Sequence, residues 1–254
     1  EPYGVASRGA QECAVAPPTP WRRIVEDHRQ LYTGKPLGML IGGIAAGAAI
    51  ANSGADDRLQ HRIQRSLDTD RFDDWDKVLH SGKELGNGYF TLPLFASAYL
   101  GAELLPESDA AEAVGTWGER SLRAFLLGAP QVIALQELTG ASRPGEASYG
   151  AEWHPLSDSN GVSGHSFMAA LPAITAAKMA DGWLPKTLLY TASLAGPVSR
   201  VTDNAHYPSQ AALGWWLAFT CATAVDAADA ELGGWRVRPT AGEGQTGLAV
   251  TRSW

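Results

Sequence analysis

Cysteine is nearly absent: Cys13 and Cys221 are the only two in 254 residues. That rules out a disulfide framework as the organising device, and no Cys-His spacing suggests zinc. A single bridge between the two cysteines and a pair of free thiols both remain open. Charge is scarce as well, at 19% of residues, and acidic side chains outnumber basic ones 27 to 20. A net charge of −7 disfavours a nucleic-acid partner, because phosphate backbones are held by clustered Lys and Arg. No charged-then-apolar leader stands at the start, which gives the expectation of a mature or trimmed chain. Long apolar runs are missing too: the longest, 37–51 and 211–225, fall short of the ~18 to 20 residues that a bilayer requires. Both are therefore read as core helices, and the domain as water-soluble. No period of the length of a solenoid repeat is present.

What the chain has in quantity is apolar surface, 45% of residues, enough for one full core. Residues 1–20 are proline-rich and aperiodic, an extended arm, and 21–232 read as the domain. Thr19-Pro20 starts a helix that Gly34 stops. Residues 36–51 are apolar all round with interspersed glycines, which suggests a central helix. Asp56 and Asp57 open an amphipathic helix with Leu59, Ile63 and Leu67 on one face, His61 on the other, and Arg58, Arg62 and Arg65 on a solvated face. A short helix is expected at 74–80, ending at His80, and further helices at 89–105, 109–128 and, after Pro130, to Gly140. Residues 140–162 have no clear period and read either as a gating loop or as a surface loop pinned by its aromatics. Helices at 163–181, from Pro185 toward Pro197, and from Pro208 to about Ala230 complete the bundle. The tail, 233–254, alternates apolar and polar residues around a glycine-rich turn, as a small β-hairpin does. The fold class is mainly α: a single-domain helical bundle with a β appendix.

The chemistry lies in two short stretches, Gly161-Val-Ser-Gly-His-Ser166 and Ser199-Arg-Val-Thr-Asp-Asn-Ala-His206. Each puts a histidine near the start of an apolar helix, where unpaired N–H groups and the helix dipole favour an anion. Arg143, ahead of Pro144, and Arg200 add two guanidiniums. Two arginines, two histidines and a Ser-Gly turn suit a tetrahedral oxyanion and require no metal.

On these residues the chain resembles the type 2 phosphatidic acid phosphatase superfamily, which also holds bacterial non-specific acid phosphatases and vanadium haloperoxidases. Arg143-Pro144, Ser163-Gly164-His165, and Ser199-Arg200 with His206 match the family's blocks in order and spacing. Gln136 stands where the family has lysine, Val162 where it has proline, and Gln210 where it has aspartate. The resemblance implies that His206 attacks phosphorus and forms a phosphohistidine, and that His165 protonates the leaving oxygen. Gln136, Arg143, Ser163, Gly164 and Arg200 would bind the phosphate, and Gln210 would orient His206. A carboxylate restored at Gln210 is then expected to raise turnover.

The expected function is hydrolysis of a phosphate ester, whether lipid phosphate, isoprenoid diphosphate or soluble phosphomonoester. The alternatives are a vanadate-dependent haloperoxidase and an oxyanion-binding protein with little catalysis. Vanadate apart, no cofactor is expected. By family habit the protein would be exported to the periplasm or the exterior as a monomer, touching a membrane only peripherally, and would not be an integral membrane protein.

Overall fold

The computed structural model describes residues 18–67, 84–106, 108–233, 235–242 and 245–252. Cys13, most of the expected arm and the helix expected at 74–80, with His80, lie outside the described residues. The described helices are α1 (Pro20–Leu31), α2 (Gly34–Ala51), α3 (Ala55–Leu67), α4 (Gly88–Gly101), α5 (Asp109–Thr139), α6 (Gly164–Met179), α7 (Trp183–Ala192), α8 (Ala195–Thr202) and α9 (Pro208–Glu231). Strands β1 (Trp235–Gly242) and β2 (Gln245–Arg252) pair as an antiparallel hairpin. The class is mainly α.

Side-chain caps fix several helix starts. Thr19 accepts a hydrogen bond from Arg22 N at 3.2 Å, Ser108 from Ala111 N at 3.2 Å, and Ser163 from Ser166 N at 3.2 Å. α5 runs unbroken through Pro130, where the sequence suggested two helices. A proline removes one backbone bond and crowds the turn before it, a cost that packing of α5 against α4, α6 and α9 offsets here.

α9 is the axis. It packs on α6, α2, α5 and α1, and the core is built from Phe167, Leu171 and Ile174 of α6, Leu127 of α5, and Leu217, Cys221 and Val225 of α9. α2 is not the central helix its composition suggested. Only Pro36, Gly47 and Ala51 are buried, and Ile41 is 58% exposed. Its composition is that of a core helix, yet its position is on the perimeter. α3 buries Asp56 and Gln60 rather than its apolar side chains: Leu59 is exposed, Ile63 and Leu67 are half-buried, and Arg58, Arg62 and Arg65 are exposed as expected.

At the end of α9 far from residue 208, a buried ionic cluster ties α1, α5, α6 and α9 together. Arg123 donates to both oxygens of Asp27, at 2.6 and 2.9 Å, and to Asp229 at 2.7 Å. Arg23 pairs with Glu119 at 2.8 Å, and Lys178 with Asp226 at 2.8 Å. Breaking one member of such a cluster strands its partners, so Arg123→Met should cost about 3–5 kcal/mol of stability in thermal unfolding. A loss below about 1 kcal/mol, the scale of an exposed pair, would mean that the cluster is solvated.

Candidate active site

The first half of the site is the turn that leads into α6. Ser163 is fully buried, and its N–H donates to the Gln210 carbonyl at 3.0 Å. Its hydroxyl caps the helix, and Gln136 donates from Nε2 to the Val162 carbonyl at 2.9 Å. The turn is thus held from α5 on one side and α9 on the other. Gly214 makes the second contact possible, because a Cβ there would overlap the Ser163 carbonyl. Gly164 and His165 begin the helix, where N–H groups lack intrahelical acceptors and the dipole favours negative charge. The His165 side chain is exposed.

The second half joins α8 to α9. The Arg200 carbonyl accepts from Ala205 N at 3.0 Å and from His206 N at 3.1 Å, closing a turn in which Asn204 has a φ of 55°. Arg200 and His206 are therefore set by one local structure. Arg200 is 7% exposed; it donates to the Asp203 carboxylate and to Ser199 Oγ, while its buried Nε has no partner among the described residues. Part of its charge is matched by Asp203.

His206 is buried, and Nδ1 lies 3.0 Å from Gln210 Oε1. That oxygen also accepts from Tyr207 N at 3.1 Å, and Gln210 Nε2 donates to the Ser142 carbonyl at 2.7 Å. A flipped amide would set its oxygen against Ser142 and its NH₂ against an N–H, so the orientation is fixed. Nδ1 must then carry the ring proton, which leaves a lone pair on Nε2. Burial pushes the His206 pKa down to about 4; the Gln210 hydrogen bond opposes this, and the charges of Arg143, Arg200 and His165 add to it. His206 is neutral at physiological pH, as a nucleophile must be.

Arg143 is exposed, and its Nε donates to Asn160 Oδ1 at 2.9 Å. Asn160 in turn donates to Asp158 at 2.8 Å. Loop 140–162 folds back on the body: Trp153 N donates to Asn52 at 3.0 Å, Leu156 N to the Glu137 carbonyl at 2.9 Å, and the Tyr149 and His154 rings are 4.1 Å apart. Backbone N–H groups thus tie it down, and its one ring pair lies within the loop. Of the expected phosphate ligands, Arg143 and Arg200 act on His206 through their charge, and so does His165. Ser163 meets the backbone of Gln210, and Gln136 is spent on the turn carbonyl. Ser142, Asn160 and Asp203 have no signal in the sequence, since a backbone acceptor and two loop side chains carry no motif.

Two comparisons place this geometry. Residues 125–229, the segment that contains every candidate residue from Gln136 to Gln210, match the family model described as the PAP2 superfamily. A solved structure described as the first transmembrane PAP2 type phosphatidylglycerolphosphate phosphatase, from Bacillus subtilis, matches with a TM-score of 0.58. The two are 22% identical, and the match covers 78% of this chain and 96% of that one. No curated protein matches. The mainly α fold is that of a PAP2-type phosphatase.

These findings correct the expectation of a water-soluble exported domain. α2 and α9 are each long and apolar enough to cross a membrane, and the matching fold is that of a transmembrane protein. The apolar run 37–51 is shorter than the helix that holds it: α2 starts at Gly34, ahead of Lys35 and Pro36, and has 18 residues.

Proposed function

We propose that this chain is an integral membrane phosphatase that hydrolyses a lipid phosphate through a phosphohistidine on His206, without a metal. The observation that carries the reading is the neutral His206, its Nδ1 held by Gln210, in the field of Arg143, Arg200 and His165. In-line attack by Nε2 would place the spreading equatorial charge against guanidiniums and the N-terminal N–H groups of α6. His165, exposed at the start of that helix, is the proposed proton donor to the leaving oxygen. Such a donor set attracts an oxyanion and repels a divalent cation.

A lipid substrate is favoured by the apolar perimeter. No residue of α7 is buried, and Trp183, Leu184 and Leu188 are exposed. Tyr89, Phe90, Leu94 and Leu100 are exposed on α4, and Ile41 and Ile50 on α2. A lipid-facing perimeter accounts for large apolar side chains left exposed on three helices. The test is phosphate release in detergent with excess chelator, comparing dioctanoyl phosphatidic acid with p-nitrophenyl phosphate. The lipid should be the better substrate by kcat/KM. Turnover of the soluble ester alone would refute the lipid class, and orthovanadate binding with no turnover of either would leave an oxyanion-binding protein.

The acid limb of kcat/KM should fall at about 4. His206 attacks as the neutral imidazole, so activity is present above its pKa and lost as pH falls through that value. The linked stability follows the same sign. Below the ordinary value of ~6.5 the unfolded chain takes up a proton that the fold refuses, so stability is lost as pH falls from there toward about 4. A limb near the unperturbed value would show His206 open to water.

A further inference from the structure

α3 lies outside the segment that matches the PAP2 superfamily, yet it faces the His206 turn with polar side chains. Asp56, Gln60 and Gln64 recur one turn apart and form a stripe. Asp56, fully buried, accepts from Ser209 N at 3.0 Å and from Ser209 Oγ. Gln60 donates from Nε2 to Asn204 Oδ1 at 2.6 Å and to the Val201 carbonyl at 3.2 Å. Gln64 donates to the same carbonyl at 2.8 Å. These bonds grip the chain before His206 and after it, and none touches His206.

Packing alone does not call for this arrangement. α3 carries Leu59 and Ile63, and turning them inward would cover the turn without burying a carboxylate and two amides. Apolar burial is non-directional, whereas hydrogen bonds to named backbone atoms fix position. The acceptors, Val201 O and Asn204 Oδ1, sit in the turn that closes through the Arg200 carbonyl.

We propose that Asp56 and Gln60 are positioning residues of the phosphate site, holding residues 201–209 so that His206 and Arg200 keep their places. This rests on the function proposed above, and the test separates the two. Wild type, Asp56→Ala, Asp56→Asn, Gln60→Met and, as a control at the far end of α9, Asp27→Asn are compared in detergent. The measurements are kcat and KM on dioctanoyl phosphatidic acid, orthovanadate affinity, and amide exchange over 201–209. A misplacement of about 1 Å costs up to ~100-fold, so Asp56→Ala should lose roughly 30- to 100-fold in kcat with KM within about twofold. Gln60→Met should lose about 10-fold by the same route, and orthovanadate should bind about 10-fold more weakly to both. Asp56→Asn keeps an acceptor for Ser209 N and can donate to Ser209 Oγ, so it should recover most of the loss. Exchange should quicken at 201–209 in the alanine variant and not in Asp27→Asn.

The proposal is overturned if Asp56→Ala loses no more kcat than Asp27→Asn at equal loss of Tm, or if Asp56→Asn is as impaired as Asp56→Ala. Should Asp56→Ala not fold, Gln60→Met decides by the same readouts. If the wild type releases no phosphate but its orthovanadate affinity still depends on Asp56, the phosphatase reading fails while the positioning role stands.

Discussion

His206→Ala should lower phosphate release from dioctanoyl phosphatidic acid by at least ~10⁴-fold, since loss of a nucleophile removes the covalent route. Wild type quenched in alkaline detergent should carry acid-labile, base-stable label from a ³²P-labelled substrate, and the variant none. The size of the effect follows from the site. No other described imidazole is both buried and surrounded by Arg143, Arg200 and His165, so nothing can take its place. His165→Ala should behave differently. A proton donor matters most for a poor leaving group, so its loss should be large on the lipid alcohol and small on p-nitrophenol. Labelled protein in His206→Ala, or equal losses on both substrates in His165→Ala, would reverse these assignments.

Where the sequence was readable, the relevant interactions were local. Caps at Thr19 and Ser163 are three-residue patterns, and the turn that sets Arg200 and His206 closes within six residues. Where it was not, the partner lay far away in the chain. Gln210 meets the Ser142 carbonyl 68 positions back, and Ser209 meets Asp56 153 positions back. No local pattern encodes either pairing. The orientation of α3 was lost for a further reason. Periodicity finds the apolar stripe of a helix but does not say which way the stripe faces, and on α3 the polar stripe is the buried one. Ile63 and Leu67 of α3 instead help line an apolar groove of about 860 Å³ with α2, α8 and α9, while the polar stripe turns to the active-site segment. The same gap makes α2 read as a core helix. Its glycines are used, but at a perimeter contact: a Cβ at Gly43 would overlap Trp216, and one at Gly47 would press on Leu213.

Gln210→Ala should lower kcat by about 10²- to 10³-fold, somewhat less than the ~10⁴-fold seen when an orienting group leaves a catalytic histidine in the wrong tautomer. In this fold Gln210 makes three contacts at once. Its oxygen meets His206 Nδ1 and Tyr207 N, and its nitrogen meets Ser142 O. Alanine removes the acceptor that keeps the proton on Nδ1, and it also releases the turn that presents Arg143. A carboxylate, expected from the family pattern to improve turnover, faces a different environment here. In Gln210→Glu one oxygen can still accept from His206 and Tyr207, but the other confronts the Ser142 carbonyl at a fully buried position. The lost bond and the repulsion cost about 1–3 kcal/mol or more, and the Ser142-Arg143 turn must shift to relieve them. The new charge also stabilises the imidazolium, so the His206 pKa rises from about 4 and the acid limb should move up by roughly 1 to 3 units. Gln210→Glu is therefore expected to narrow the active pH range from below and to lower kcat about 10-fold even on the plateau, by displacing Arg143. Gln210→Asp is too short to span both partners and should fall further. Plateau rates at or above wild type in either acid, with the limb shifted upward, would mean that charge on His206 outweighs the hold on Ser142. An unchanged limb in Gln210→Glu, together with kcat within threefold in Gln210→Ala, would remove Gln210 from the site.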